Sequence, residues 1–437
     1  MIDNFCYELE HYGKILNANR SYYLTRSQPP FLTDMIIQTY ETICEPGIHI
    51  VTEDKVVWLG RAVRAAFKEL FGVWLTPPRI NVNGLCSYHD EGIGMPPETE
   101  ATHFVHIVEP YAKELGISFE DYVCRYNSGE ILEPKLDEYF KHDRAVRESG
   151  HDTTYRLEGI CADLATIDLT CLLFKFETDL DMFMNKYFNG YMQLRIRRGI
   201  DDCALKSFQE WAVLVNATGV ESMHDWNNVW AQNIRIYDKT ADLSISDMDF
   251  MENLVKKVSY IVEDQENFVV SIPSSLLKDL ASHTRELADK FLWNEKQGMY
   301  FDYNCKKSQQ STYESVTCMW ALWAGMASNT QAAVLVPKAI QLFGETGGLT
   351  SGTKSSRGEL CAERPSRQWD YPFGWSPHQI IAWQGLENYG FSKERESLTY
   401  RWLYTIVSSF QNYNGVVPEK FDVVKMTHKV FPKFMIG

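Results

Sequence analysis

The stretch 367–379 combines the residue types that a carbohydrate site needs. It reads RQWDYPFGWSPHQ, so two tryptophans, a tyrosine and a phenylalanine surround the carboxylate of Asp370. Proline and glycine restrict the backbone between the rings, which can then form a fixed aromatic wall. The C–H groups of a sugar ring pack on such a wall, and its hydroxyls need acceptors such as Asp370. The alternative is an aromatic cluster that only fills a core.

The ten residues QWDYPFGWSP within this stretch resemble a signature of the trehalase family. These enzymes hydrolyse the α,α-1,1-linked glucose disaccharide. The resemblance implies trehalose as the substrate, an (α/α)6 toroid as the fold, and an inverting acid/base mechanism. It implies no metal and no organic cofactor.

A second segment, residues 144–156, holds three arginines and two carboxylates, and Ser149-Gly150 interrupts any helix before Asp152. A salt-bridged surface turn is the commoner fate of such a mixture. The segment RESGHDTTYR is similar to one in neutral trehalases, where the arginine and glycine bind substrate and the aspartate is the general acid. The resemblance assigns these roles to Arg147, Gly150 and Asp152.

A third segment, NANRSYYLTRSQPP at residues 17–30, ends in two prolines that exclude helix. It therefore predicts a rigid loop before a helix that begins near Thr33. Rigidly held arginine and glutamine can bind sugar hydroxyls, although a structural arginine is commoner in general. The segment resembles one in trehalases that contacts substrate, which implies this role for Asn17, Arg26, Ser27 and Gln28.

Two glutamates each follow a proline in a loop: Glu98 in MPPET and Glu419 in VVPEK. Both motifs are short, and the family resemblance implies that Glu98 binds sugar and that Glu419 is the general base. Inversion needs the acid and the base about 6.5–9.5 Å apart. We therefore expect Asp152 and Glu419 to face each other across a pocket lined by two arginines and two tryptophans, Arg26, Arg147, Trp369 and Trp375.

Asp152 must be protonated near neutral pH to act as an acid. Burial or a nearby carboxylate would raise its pKa, against the opposing charges of Arg147 and Arg156.

The bulk composition excludes several functional classes. The 437 residues carry 43 Lys and Arg against 58 Asp and Glu, a formal charge of −15, so a nucleic-acid partner is unfavourable. Long apolar runs and a signal-peptide pattern are both lacking, which predicts a cytoplasmic protein without a membrane partner. The ten cysteines are dispersed and suggest buried thiols. His103, His106 and Glu109 offer a metal alternative, but further ligands do not cluster with them. A regulatory protein partner stays open.

Apolar residues spaced by three and four predict about ten helices and few strands, hence an all-α protein. Examples are a helix from Thr52, apolar stripes over residues 160–174 and 277–291, and helices that begin at Ser376 and Ser392. Linker-like segments are absent, so we expect one domain over residues 1–437. A closed toroid needs twelve helices, and we expect it to be incomplete here.

Two family segments, PGGRFxExYxWD and EGFGW, do not occur in these residues. We therefore expect this chain to hydrolyse trehalose slowly. The alternative is a catalytically inactive relative that binds sugar or regulates another protein.

Overall fold

The computed structural model describes residues 1–44, 53–100, 102–197, 259–262 and 267–429. Helices make up most of these residues, and their bounds are as follows: α1 (Ile2–Tyr12), α2 (Leu32–Ile43), α3 (Glu53–Glu69), α4 (Val105–Leu115), α5 (Phe119–Asn127), α6 (Pro134–Ser149), α7 (Ile167–Tyr187), α8 (Ser274–Phe291), α9 (Trp320–Trp323), α10 (Asn329–Phe343), α11 (Lys354–Arg357), α12 (Ser376–Asn388) and α13 (Ser392–Asn412). The predicted helical character is confirmed.

Helix α7 lies between two hydrophobic cores. Leu173 and Phe176 point into a core shared with α1, α2 and α3, whereas Leu172 and Phe174 point into one shared with α8, α9, α10 and α12. A helix whose apolar residues face two directions must be covered by other elements on both sides. The neighbours α2, α3 and α8 all contact it.

Most predicted helix starts are close to the observed ones. The helix expected near Thr33 begins at Leu32, and α12 and α13 begin at Ser376 and Ser392 as predicted. The helix expected from Thr52 is α3, which begins at Glu53, and Thr52 itself lies outside the described residues.

The stripe over residues 160–174 is helical only in its second half, so this prediction is wrong for the first half. Residues Cys161–Asp163 form a 3-10 turn and Leu164–Ala165 a short strand, β1. Thr166 then caps α7, because its hydroxyl accepts a hydrogen bond from the amide of Leu169 at 3.4 Å. The cap sets the helix start later than the apolar spacing suggests.

Short antiparallel strands join the helices, and the sequence predicts few of them. Their bounds after β1 are β2 (Tyr191–Arg197), β3 (Ser259–Val262), β4 (Asn267–Pro273), β5 (Trp293–Asn294), β6 (Met299–Tyr300), β7 (Tyr303–Asn304), β8 (Gln309–Gln310), β9 (Gly344–Glu345), β10 (Gly348–Leu349), β11 (Phe373–Trp375) and β12 (Lys420–Asp422). Strands β2, β4 and β3 form a sheet in that order, with Tyr191 opposite Pro273. The remaining strands mostly form small hairpins between helices.

Among the described ranges, none of the helices combines the length and apolar character needed to cross a bilayer. The cysteines in the same ranges are all free, and Cys161, Cys171 and Cys318 are among the buried ones.

Candidate active site

Asp152 lies on a loop that leaves the end of α6. Gly150 follows the helix with φ of 72°, a left-handed conformation that glycine adopts without steric cost, and it turns the chain towards Asp152. Asp152 is half-buried. Burial raises the pKa of its carboxyl above the ordinary value, although the positive charges of Arg147 and Arg26 act in the opposite direction. A carboxyl in this environment is suited to donate a proton.

Arg147 is fixed one turn before that loop. Its Nε donates to Asp143 Oδ2 at 2.8 Å, and its Nη2 lies 3.3 Å from His103 Nε2. The guanidinium also lies over the ring of Phe104, 5.7 Å from the centroid. These contacts hold the charge of Arg147 in one place beside Asp152, as the sequence predicts.

Arg26 connects two loops. Its Nε donates to Asp90 Oδ2 at 3.0 Å, and its Nη1 donates to Glu98 Oε1. Glu98 Oε2 is buried and has no hydrogen-bond partner among the described residues. The predicted binding residues Arg26 and Glu98 are thus brought together, and Glu98 retains one buried carboxylate oxygen without a protein partner.

The remaining residues of the segment 17–28 stabilise the same loop. The amide of Asn17 donates to the carbonyl of Arg26 at 3.1 Å, and Gln28 Nε2 donates to the carbonyl of Asn17 at 2.7 Å. Ser27 is fully buried, and its hydroxyl donates to the carbonyl of Ile15 at 3.1 Å. Ser27 therefore uses its hydroxyl inside the protein.

Glu148 is a structural residue that the sequence analysis did not identify. Its carboxylate accepts from Arg79 Nη2 at 2.6 Å, from the amide of Ser27 at 2.9 Å and from the amide of His89 at 2.7 Å. It thereby connects the end of α6 to the loops that carry Ser27 and His89. Its position directly after Arg147 is the one sequence signal that points to it.

The aromatic stretch forms a wall, as expected, but Asp370 does not lie on its open face. Trp369 and Trp375 stack with ring centroids 4.0 Å apart and planes 5° apart. Asp370 is fully buried and accepts hydrogen bonds from Thr154 Oγ1 at 2.7 Å and from the hydroxyl of Tyr313. The expectation that Asp370 accepts a sugar hydroxyl is wrong, because its oxygens are already bonded within the protein.

Glu419 is exposed and directly precedes β12. Strand β12 pairs with β11, and Lys420 lies opposite Trp375. Lys420 Nζ donates to Gln368 Oε1 at 2.9 Å, and Gln368 Nε2 donates to the carbonyl oxygen of Asp152. The segments that carry the predicted acid and base therefore meet on the two sides of Gln368.

Two buried histidines lie behind the wall, and the sequence analysis did not identify them. His151 and His378 stack with centroids 5.2 Å apart, and their centroids lie 4.8 and 5.2 Å from that of Trp369. Burial lowers the pKa of His151 to about 4 and lowers that of His378 well below its ordinary value. Both rings are neutral near pH 7, so they add no charge next to Asp152.

Arg156, which the sequence places beside the acid, is instead held by two other carboxylates. Its Nε donates to Asp302 Oδ2 at 2.7 Å, and its Nη2 donates to Asp168 Oδ1. All three side chains are buried. Arg156 is a structural residue here.

A surface groove lies away from these carboxylates. It has a volume of about 910 Å³ between α2, α7, α12 and α13, and Trp323, Trp383 and Tyr400 are among its lining residues. Neither Asp152 nor Glu419 lines it. This groove is therefore separate from the candidate site.

Among the described residues, the side chains with metal-ligand spacing are Glu138, His142 and Asp163, with their ligand atoms within 4.8 Å of one another. Lys141 Nζ and Lys306 Nζ already bind Glu138, at 2.8 and 3.1 Å. Two ammonium groups therefore neutralise this cluster.

The metal alternative at His103, His106 and Glu109 has no support in the geometry. His103 faces the guanidinium of Arg147, His106 is exposed, and Glu109 pairs with Lys113 at 3.0 Å. A cation adjacent to His103 would be repelled by that guanidinium.

Comparison with known proteins gives a consistent result. The family model described as Trehalase matches residues 1–216 and 221–431. The cytosolic neutral trehalase of Neurospora crassa is 46% identical over 428 residues, which cover 97% of this chain and 48% of that protein. The cytosolic neutral trehalase of Saccharomyces cerevisiae is 40% identical over 433 residues, covering 98% and 48%. The chain spans about half the length of the curated relatives it matches.

A solved structure of neutral trehalase from Saccharomyces cerevisiae superposes with a TM-score of 0.76 at 40% identity, covering 97% of this chain and 63% of that one. The fold is accordingly all-α and of the (α/α)6 toroid type, as the resemblance implied.

Proposed function

Since the chain belongs to the trehalase family, we propose that it is an inverting glycoside hydrolase that converts α,α-trehalose and water into two glucose molecules. The observation that carries this proposal is the environment of Asp152. Asp152 is half-buried, burial raises the pKa of its carboxyl, and the charges of Arg147 and Arg26 act on it. Its backbone carbonyl accepts a hydrogen bond from Gln368, the residue before Trp369 of the aromatic wall. These are the requirements of a general acid next to a sugar.

In the proposed reaction, Asp152 donates its proton to the oxygen that bridges the two glucose units. The bond from this oxygen to one anomeric carbon breaks, and positive charge develops on that sugar ring. The first glucose leaves with the proton from Asp152. A neutral acid is required because an unprotonated alkoxide is a poor leaving group.

Glu419 acts as the base on the opposite side of the ring. It accepts a proton from a water molecule, whose oxygen attacks the anomeric carbon and inverts its configuration. Its exposed position is compatible with the supply of water. One α-glucose and one β-glucose result, and the protonation states of the two carboxyls are restored by exchange with solvent.

The polar groups around Asp152 supply substrate contacts in this proposal. Arg26 and Arg147 donate to hydroxyls, and Glu98 accepts through the oxygen that lacks a protein partner. Gly150 leaves room for the sugar, because a Cβ added at this position would have no atom within 4 Å of it. Asn17, Ser27 and Gln28 complete the binding loop, the last two mainly by keeping it rigid.

Acid/base catalysis by two carboxylates requires neither a metal nor an organic cofactor. We further propose that residues 1–437 form one domain. We also propose a cytosolic location, because the relatives with 46% and 40% identity are named cytosolic neutral trehalases.

The test is glucose release from trehalose by the full chain and by two isosteric variants. We expect Asp152→Asn and Glu419→Gln each to lower kcat by about 10²–10⁴, since each removes a proton transfer. Glu359→Gln changes another exposed glutamate and should retain activity. NMR of the first products should show equal amounts of α- and β-glucose.

Three results would contradict the proposal. Products that are entirely α-glucose would exclude inversion, and full activity of either carboxylate variant would exclude its role. Trehalose binding without any glucose release by the unaltered chain would restore the alternative of an inactive sugar-binding relative.

A further inference from the structure

Gln368 contacts both of the segments that carry the predicted catalytic carboxylates. Its Nε2 donates to the backbone carbonyl of Asp152. Its Oε1 accepts from Lys420 Nζ at 2.9 Å, and Lys420 directly follows Glu419. One side-chain amide therefore connects the loop that carries Asp152 to strand β12, which begins directly after Glu419.

The backbone of Gln368 is fixed as well. Its carbonyl accepts from Trp375 Nε1 at 2.7 Å, and the next residue, Trp369, donates its amide to the carbonyl of Thr153 at 3.1 Å. The ammonium of Lys420 also lies 5.2 Å from the centroid of the Trp375 ring. The amide is thus anchored to the aromatic wall and cannot follow the movement of one segment alone.

Only an amide fits these two contacts among side chains of this length. A glutamine donates through nitrogen and accepts through oxygen, whereas glutamate cannot donate and lysine cannot accept. The orientation is also determined, because a flipped amide would set oxygen against the Asp152 carbonyl and nitrogen against the Lys420 ammonium. Both of these contacts would be repulsive.

We propose that Gln368 is a positioning residue that sets the separation between the general acid Asp152 and the general base Glu419. This inference rests on the proposed function. Inverting hydrolysis depends on that separation, because a water molecule must fit between the base and the anomeric carbon while the acid reaches the leaving oxygen. A displacement of about 1 Å at a reacting group can cost about 100-fold in rate.

Gln368→Met tests the proposal, because methionine has a similar length and makes neither hydrogen bond. We expect kcat on trehalose to fall by about 100-fold while KM changes by less than about threefold, since Gln368 is not proposed to hold the sugar. The alkaline limb of the kcat/KM profile should move to lower pH. A released Asp152 loop would expose the carboxyl to water and reduce the burial that raises its pKa.

Gln310→Met is the matched control. Gln310 is also half-buried, its Nε2 donates to the carbonyls of Phe291 and Trp293 at 2.9 and 3.1 Å, and its Oε1 accepts from Asn294 at 2.9 Å. This substitution also removes the hydrogen bonds of a side-chain amide, but at a position that contacts neither the Asp152 loop nor Lys420. We expect a lower Tm with kcat, KM and the pH profile unchanged.

The Lys420 end of the connection provides a second test if Gln368→Met does not fold. Lys420→Met removes one hydrogen bond and should lower kcat by about tenfold. Lys420→Arg retains a charged donor for Gln368 Oε1 and should recover most of that loss. A side chain with a merely structural role would change Tm without this pattern of loss and rescue.

The outcomes separate the two proposals. If the unaltered chain is active and Gln368→Met keeps its kcat and pH profile, or changes only KM or Tm, the positioning role is wrong and the proposed function stands. If the unaltered chain releases no glucose, both proposals fail together.

Discussion

The stability that Glu177 contributes to the folded chain should decrease as pH rises through the neutral range. This carboxyl lies on α7 with 1% of its surface exposed, and its Oε1 accepts one hydrogen bond, from Thr284 Oγ1 at 3.2 Å. Its Oε2 lacks a partner among the described residues. Burial raises the pKa of Glu177 from 4.5 to about 8. The folded protein therefore holds a proton that the unfolded chain releases.

The sign and size of the pH effect follow from the difference between the pKa of Glu177 in the folded and in the unfolded chain. Below pH 4.5 both states are protonated, and the contribution to stability is constant. Between pH 4.5 and about 8 the unfolded state binds fewer protons at this carboxyl, so its contribution to the free energy of unfolding falls by about 1.4 kcal/mol per pH unit. The total is at most about 5 kcal/mol over the window. Above pH 8 both states are ionised, and the slope disappears.

The assay is urea unfolding of the chain and of Glu177→Gln, followed by tryptophan fluorescence at pH 5, 6, 7 and 8. The amide cannot ionise, so the free energy of unfolding of the variant should depend less steeply on pH. It should increase relative to that of the unaltered chain at each step from pH 5 to pH 8. Glu286→Gln, an exposed position on α8, should leave the profile unchanged. Parallel profiles for the chain and Glu177→Gln would refute the reasoning.

Two further substitutions test the interior. Arg156→Met leaves the buried carboxylates of Asp168 and Asp302 without their cation and should cost about 3–5 kcal/mol in urea unfolding at pH 7. Burial acts to raise the pKa of Asp168, but Arg156 holds it at about 2, so this pKa should rise in the variant and the loss of stability should be smaller at acidic pH, where Asp168 of the variant takes up a proton. An equal loss at both pH values would contradict this. Gly385→Ala places a methyl group 2.8 Å from Leu322 Cβ where α12 meets α9, and should cost about 1–3 kcal/mol through overpacking. An unchanged Tm for Gly385→Ala would contradict this prediction, because it would mean that α9 and α12 can move apart to accommodate the methyl group without loss of stability.

The elements with local signals were predictable from the sequence. The prolines before α2 and the glycine after α6 act within a few residues of themselves, and the structure agrees with both. Ser376 and Ser392 mark the starts of α12 and α13, but the expectation that Ser376 caps its helix is wrong, because Trp375 occupies the cap position and neither serine side chain makes a capping hydrogen bond. The loop that carries Asp152 was predictable for the same reason, because Gly150, which ends α6, is only two residues before Asp152. The pairing of β2 with β4 was not predicted, because the two strands lie far apart in the chain.

Roles that depend on distant partners were not predictable. A carboxylate between aromatic rings looks like a sugar acceptor until Thr154 and Tyr313 are known to bond to Asp370. Arg156 likewise looks like part of the acid's surroundings until Asp302 is placed beside it. In both examples the residue type suits the predicted chemistry. The local sequence does not reveal the distant residue that forms a hydrogen bond with it in the folded protein.

The hydrogen bond between Thr154 and Asp370 has a consequence for synthesis of the chain. The two residues are 216 positions apart. At about 5–20 residues per second, a ribosome needs roughly 10–40 s to proceed from one to the other. During that interval the acid loop has left the ribosome without its aromatic partner, while helices such as α6 can already form from local contacts. The loop that carries Asp152 therefore acquires its final shape late in a nascent chain, after most of the scaffold has been made.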